Sequence, residues 1–292
     1  MNISATIRKI RKLEIKTRHL VNTLLAGDYH TVFKGQGVSF SDLREYQAGD
    51  DIRFIDWQIT AKTGKPYVKL FSEERELTVF LVVDISASGQ FGSVSELKLD
   101  AMAQVAALIG FSAMKNQDKV GLLLVSDKVE LMIPPKKGKS HIFKILSHIF
   151  SIKPVARPTQ LSVAFDMMKK VLKKRGIVFV LSDFYDNAYQ KSMQLLSRRQ
   201  DVIPLVFRDQ RDTFIPKSGL IRLYDLEDGT SLLLNFSNPA VRSTFAAQRK
   251  AFDEQMIHSF KTIKKTPVFL HLQEDYIAAL QRYFSLQKKR IR

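Results

Sequence analysis

Cysteine is absent from this chain of 292 residues. That excludes disulfides, Cys-ligated zinc and a thiol nucleophile, and it fits a reducing compartment. Long apolar runs are also lacking. Leu77–Val83 is broken by Asp84, and Ala101–Met114 is broken by Gln104 and Ser112. Neither approaches the roughly 20 residues that a membrane-spanning helix needs. The first 25 residues carry Arg8, Lys9, Arg11, Lys12, Lys16 and Arg18, but no apolar stretch of the secretory kind follows them. Acidic residues are in deficit, 29 against 46 Lys and Arg, for a formal net charge of +17. The surplus gathers at Arg8–Arg18, Lys136–Lys139, Lys169–Arg175 and Lys288–Arg292. Such a surface attracts acidic protein, anionic lipid or nucleic acid, and its plainest reading is a solvated basic face. No nucleic-acid motif accompanies the charge, so nucleic acid is not expected as a partner.

Several catalytic signatures are missing as well. Gly138-Lys139-Ser140 ends like a phosphate-binding loop, but Ile133 stands where the first glycine belongs. Gly35-Gln36-Gly37 lacks the third glycine of a dinucleotide fingerprint, since Phe40 occupies it. No Gly-x-Ser-x-Gly elbow occurs. A phosphatase of the Asp-x-Asp kind needs an acid at position 86, which is Ser86. The six histidines are scattered, and no acid–base pair recommends itself. The expectation is a protein that is not an enzyme and takes no small-molecule substrate.

What is present is a patterned chain with three parts. Residues 1–26 space Ile3, Ile7, Ile10, Leu13, Leu20 and Leu24 as an amphipathic helix. Residues 27–76 are punctuated by glycine and read as a small β-rich lobe, with short strands at Val32–Phe33 and Tyr67–Phe71. Residues 77–292 alternate strand and helix patterns, including a hairpin turned at Asp228–Gly229. Alternation of this kind predicts an α/β fold, a mostly parallel central sheet with helices on both faces. Right-handed crossovers then gather the C-terminal ends of the strands at one edge, where ligands bind.

Three segments meet at that predicted edge. The strand Leu77–Asp84 releases an Asp-x-Ser-x-Ser sequence, Asp84, Ser86 and Ser88. Thr159 precedes a helix that begins at Leu161, and Asp183 follows the strand Ile177–Leu181. Two carboxylates and three hydroxyls, completed by water, suit an octahedral Mg²⁺ with one exchangeable position; Mn²⁺ and Ca²⁺ are the alternatives. Each residue also has a plain structural use. Asp84 and Asp183 can start turns, Ser86 and Ser88 can cap, and Thr159 reads as a helix N-cap in either case.

The order of these residues resembles the metal-ion-dependent adhesion site of von Willebrand factor A domains. The N-terminal lobe extends the likeness. Gly35-Gln-Gly, Phe40-Ser-Asp-Leu-Arg-Glu-Tyr46, Gly49-Asp-Asp-Ile-Arg53, Ile55-Asp-Trp57 and Ala61-Lys-Thr-Gly64 follow one another closely. The chain is thus similar, from about Leu13 to Phe284, to the bacterial MoxR-associated von Willebrand factor A-like family, domain of unknown function fifty-eight. The resemblance implies a Rossmann-like domain that binds proteins at its metal. It also implies a MoxR-type AAA+ ATPase as partner, with an acidic client, in cytoplasmic chaperone-like assembly or maturation. A metal-dependent hydrolase is the rival reading. A basic nucleic-acid or membrane-surface binder is another, and a peripheral membrane contact stays open with it. Three positions depart from the family pattern: Ser39, Lys62 and Gln160. The last removes an acid beside Thr159, which weakens the expected cation affinity. Arg44, Glu45, Asp50, Asp51, Arg53 and Asp56 read as a charge network fixing the lobe's loops, with Trp57 as a core anchor; a partner surface is the other reading.

Overall fold

The computed structural model describes residues 7–8, 10–15, 38–73, 76–93, 96–152, 158–186, 188–224, 229–272 and 274–291. The strand expected at Val32–Phe33 falls outside them, as does most of the segment read as the first helix. Residues 34–77 form one compact unit, and the rest of the described chain forms the other.

The small unit is a two-stranded antiparallel ribbon, β1 (Val38–Glu45) against β2 (Tyr67–Glu73), with a register shift between Phe40 and Asp42. Between the strands lie a 3₁₀ turn at Ile52–Phe54 and helix α1 (Trp57–Thr63). Asp56 caps α1 by accepting from the N–H groups of Gln58 and Ile59 at 3.0 and 3.1 Å. Gly64 closes it in the left-handed conformation at φ 71°. The charged residues resolve into separate local pairs. Arg44 meets Asp50 at 2.7 Å, Arg53 meets Asp51 at 2.6 Å, Lys65 meets Glu45 at 3.1 Å and Lys69 meets Asp56 at 3.2 Å. Trp57 does not anchor a core. Its side chain is 68% exposed at the first turn of α1. The expectation rested on tryptophan's large apolar area, but the unit buries few side chains, and position N1 of α1 turns outward.

The larger unit is built on a six-stranded sheet in the order β10-β7-β6-β3-β4-β5. The strands are β3 (Thr78–Asp84), β4 (Lys119–Val125), β5 (Val129–Lys136), β6 (Ile177–Ser182), β7 (Asp201–Arg208) and β10 (Val268–His271). All neighbours are parallel except β5, which returns antiparallel beside β4. The near-continuous apolar runs of β3, β4, β6 and β7 are what a sheet covered on both faces requires. Phe80, Val82, Leu123, Val125, Val178, Val180 and Val206 pack beneath α4 (Leu161–Val171), α5 (Gln190–Ser197) and the end of α7 (Pro239–Thr262). On the alternate positions, Phe179 stands edge-on to Phe284 of α8 (Tyr276–Ile291) at 6.5 Å. Helices α2 (Lys98–Lys115) and α3 (Lys139–Ser151) pack on each other, with Phe111 edge-on to Phe143 at 6.1 Å. Ile10, from the helical residues 10–15, is fully buried.

Gly121 in β4 is dictated by close approach. A Cβ there would stand 2.7 Å from the ring of Phe80 and 3.1 Å from the carbonyl of Ile133. The hairpin β8 (Leu220–Tyr224) and β9 (Ser231–Asn235) forms a separate two-stranded ribbon. A four-residue helix, α6 (Gln210–Thr213), follows β7; no periodicity that short announces itself.

Candidate functional site

The sheet brings the three predicted segments together at its C-terminal edge. β3 pairs with β6 so that Val83 lies opposite Leu181, which sets Asp84 beside Ser182. Ser182 Oγ donates to Asp84 Oδ2 at 2.5 Å, and the N–H of Ser86 donates to Asp84 Oδ1 at 3.0 Å. On the other flank β4 is followed by Ser126, whose carbonyl accepts from the N–H of Gln160 at 3.0 Å. That bond docks the Thr159 segment against the β3 loop. Thr159 Oγ1 then donates to Ser86 Oγ at 2.8 Å, and Ser86 Oγ lies 3.0 Å from Ser88 Oγ. Four of the five residues are buried, and Ser88 is half-buried.

Thr159 is not the cap of α4. The cap position is Gln160, which makes no side-chain cap bond, and the N–H of Leu161 is satisfied by Asp186 Oδ2 at 2.7 Å. Asp186 also accepts from the N–H of Ala188 at 2.7 Å. A carboxylate from the β6 loop therefore stands at the start of α4, where Gln160 supplies none, and the Thr159 hydroxyl is left to the site.

Asp183 is fully buried beside Asp84. Its Oδ2 accepts from Lys98 Nζ at 3.1 Å, its carbonyl accepts from Arg208 at 2.6 Å, and its Oδ1 has no hydrogen-bond partner among the described residues. Such an orphaned oxygen is costly in a protein interior. The following residue, Phe184, holds a positive φ of 56°. For a bulky residue that backbone is strained by about 1–3 kcal/mol. Its N–H donates to Ser182 Oγ at 2.9 Å, and its ring packs edge-on to Tyr189 and Phe260 at 5.4 and 5.3 Å. The strain aims the loop so that Asp183 faces the β3 segment.

The electrostatics are those of two buried acids set side by side. Burial, and then the negative charge of Asp183, push the Asp84 carboxyl up to about 7 against the bonds from Ser182 and Ser86. A cation between the two acids would reverse both effects. The donors are hard oxygens, and among the described residues no cluster of three or more His, Cys, Asp or Glu gathers. Two carboxylates with three hydroxyls fit Mg²⁺, which keeps several waters, better than a metal that demands nitrogen or sulfur.

Sequence reasoning missed Ser182, Lys98, Asp186, Arg208 and Asp212. Lys98 left a trace, as a cation opening a largely apolar helix. Ser182 and Arg208 end β6 and β7, and Asp186 and Asp212 lie in the segments that follow those strands; their partners are known only once the strand order is known.

A mostly parallel sheet with one antiparallel edge strand, and Asp-x-Ser-x-Ser, Thr and Asp converging at its C-terminal rim, define a von Willebrand factor A-like domain. The chain belongs to the family described as "Protein of unknown function DUF58", whose model matches residues 42–255. It is similar to the "Uncharacterized protein Rv1480" of Mycobacterium tuberculosis, at 28% identity over 284 residues, 96% of this chain and 89% of that protein. It is also similar to the "Uncharacterized protein YeaD" of Bacillus subtilis, at 28% identity over 109 residues, 37% of this chain and 25% of that protein. Among solved structures it is similar to the conserved hypothetical protein BatB of Bacteroides thetaiotaomicron. The TM-score there is 0.46 at 16% identity, covering 73% of this chain and 99% of that chain.

Proposed function

We propose that this chain is a protein-binding adaptor whose rim of Asp84, Ser86, Ser88, Thr159 and Asp183 holds Mg²⁺. The observation that carries the reading is Asp183 Oδ1, buried beside a second buried carboxylate and without a partner among the described residues. The hydroxyl chain Thr159–Ser86–Ser88 supports it, because it brings three further hard donors to one place. Held by these residues, a cation would offer a Lewis-acidic contact to a carboxylate of a partner protein. The residues of this chain fix the two acids, orient the hydroxyls and keep bulk water from Asp84 and Asp183. The partner proposed from the family resemblance is a MoxR-type AAA+ ATPase, with an acidic client that the +17 net charge favours. The setting proposed is the cytoplasm, and no turnover is assigned.

The test is direct. Mg²⁺ or Mn²⁺ is titrated into the full chain, and ATPase pull-down is repeated with EDTA. We expect a cation-dependent rise in melting temperature and capture that EDTA removes, both lost in Asp84→Ala while the variant stays folded. Capture unaffected by EDTA and by Asp84→Ala overturns the metal bridge.

A further inference from the structure

Lys98 is the first residue of α2 and is 1% exposed. Both facts call for a cause. A cation at a helix N-terminus opposes the macrodipole, and a buried ammonium is costly unless paired. The pairing is lavish. Nζ lies 3.1 Å from Asp183 Oδ2, and 3.1 and 2.9 Å from the two oxygens of Asp212. The rings of Tyr185 and Phe91 stand 5.0 and 5.4 Å away. Asp212 is itself held, its Oδ2 accepting from the N–H of Asp209 at 2.9 Å. Asp209 in turn accepts from the N–H and hydroxyl of Ser93 at 2.9 and 2.6 Å. The loops after β3 and β7 are thereby locked around one ammonium.

We propose that Lys98 is a built-in counter-cation: it holds Asp183 in place when no metal is bound, and it shares Asp183 with the divalent ion when one is. The inference rests on the metal reading given above. Asp183 and Asp212 share one ammonium, while Asp84, beside Asp183, takes its bonds from Ser182 and Ser86; the buried carboxylates thus outnumber the ammonium, a deficit that a divalent ion fills. The same ammonium repels that ion from the far side of Asp183. It occupies Oδ2 and leaves Oδ1 as the oxygen on offer. The consequence is a site that stays assembled without metal and binds its ion weakly enough to exchange. Asp212 sets the balance by drawing the ammonium away from Asp183.

The measurement is Mn²⁺ affinity, by calorimetry or by the electron paramagnetic resonance of free Mn²⁺, on the full chain, with melting temperature in EDTA read beside it. Lys98→Met is expected to bind Mn²⁺ at least tenfold tighter and to melt lower in EDTA. Asp212→Asn is expected to bind several-fold weaker, because Lys98 is left to Asp183 alone. A purely structural lysine gives no such opposition of sign. Should Lys98→Met fail to fold, the double variant Lys98→Met/Asp212→Asn, which loses one charge of each sign, decides by the same tenfold gain. Unchanged or weaker binding in the folded lysine variant overturns the proposal. If wild type binds Mn²⁺ and Asp84→Ala does not, that result leaves the metal reading intact. Binding by Lys98→Met but not by wild type supports the counter-cation. No binding by any of these proteins overturns both.

Discussion

Thr159 Oγ1 reaches Ser86 Oγ at 2.8 Å across a separation of 73 residues, and it does so because another side chain has taken over its local task. Asp186 accepts the N–H of Leu161, the bond that a threonine before a helix ordinarily makes. The cap and the site donor are thus two residues from two loops. The rim of the sheet is coupled to the seating of α4.

Asp186→Ala tests that coupling. It leaves the N–H groups of Leu161 and Ala188 without their acceptor, at a cost of about 1–3 kcal/mol. Urea unfolding should show the loss. Cation-induced stabilisation should fall with it, whereas Asp186→Asn, which keeps one acceptor oxygen, should recover part of both.

Tyr189 gives a pH signature on the alkaline side. Burial raises its phenol from 10.0 to about 12, against the bond to Ser259 at 3.2 Å. The folded state therefore holds the proton longer than the unfolded state. The stabilisation is complete below pH about 10 and is lost as pH rises through about 12. The slope contributed approaches ~1.4 kcal/mol per pH unit in that window. Tyr189→Phe should flatten this part of the stability–pH curve in denaturant titrations. The substitution should cost about 1 kcal/mol at neutral pH through the lost hydrogen bond.

Gly121→Ala should destabilise by about 1–3 kcal/mol, since the added methyl group overpacks the interior. Its nearest neighbours would be the Phe80 ring at 2.7 Å and the Ile133 carbonyl at 3.1 Å. Adding Phe80→Leu to Gly121→Ala should return part of the loss in a double-mutant cycle, measured by thermal melting.

Trp57 is the only tryptophan, and it is exposed. Its fluorescence should be strongly quenched by iodide in the native protein and should shift little on unfolding in urea. Trp57→Ala should change stability by no more than about 0.5 kcal/mol. A large loss would show that the indole is buried after all.

Much of this molecule was legible in its residues. The apolar runs of β3, β4 and β6 and the alternation of strand with helix require a covered, mostly parallel sheet, because such strands have no polar face to give to water. Asp84, Ser86, Ser88, Thr159 and Asp183 were legible as candidates because each stands where a strand or loop must end. The small unit was read less well. β1 carries polar and apolar residues in a mixed order, α1 is only seven residues long, and Trp57 was placed by hydrophobicity alone. The local chain thus determined the elements, the rim and the donors on it. The tertiary structure decided that Lys98 and Asp212 join them, that Ser182 holds Asp84, and that Asp186 frees Thr159. The reason is physical: a strand's side-chain pattern records which faces are buried, whereas a buried charge takes its partner from whichever strand the sheet order sets beside it.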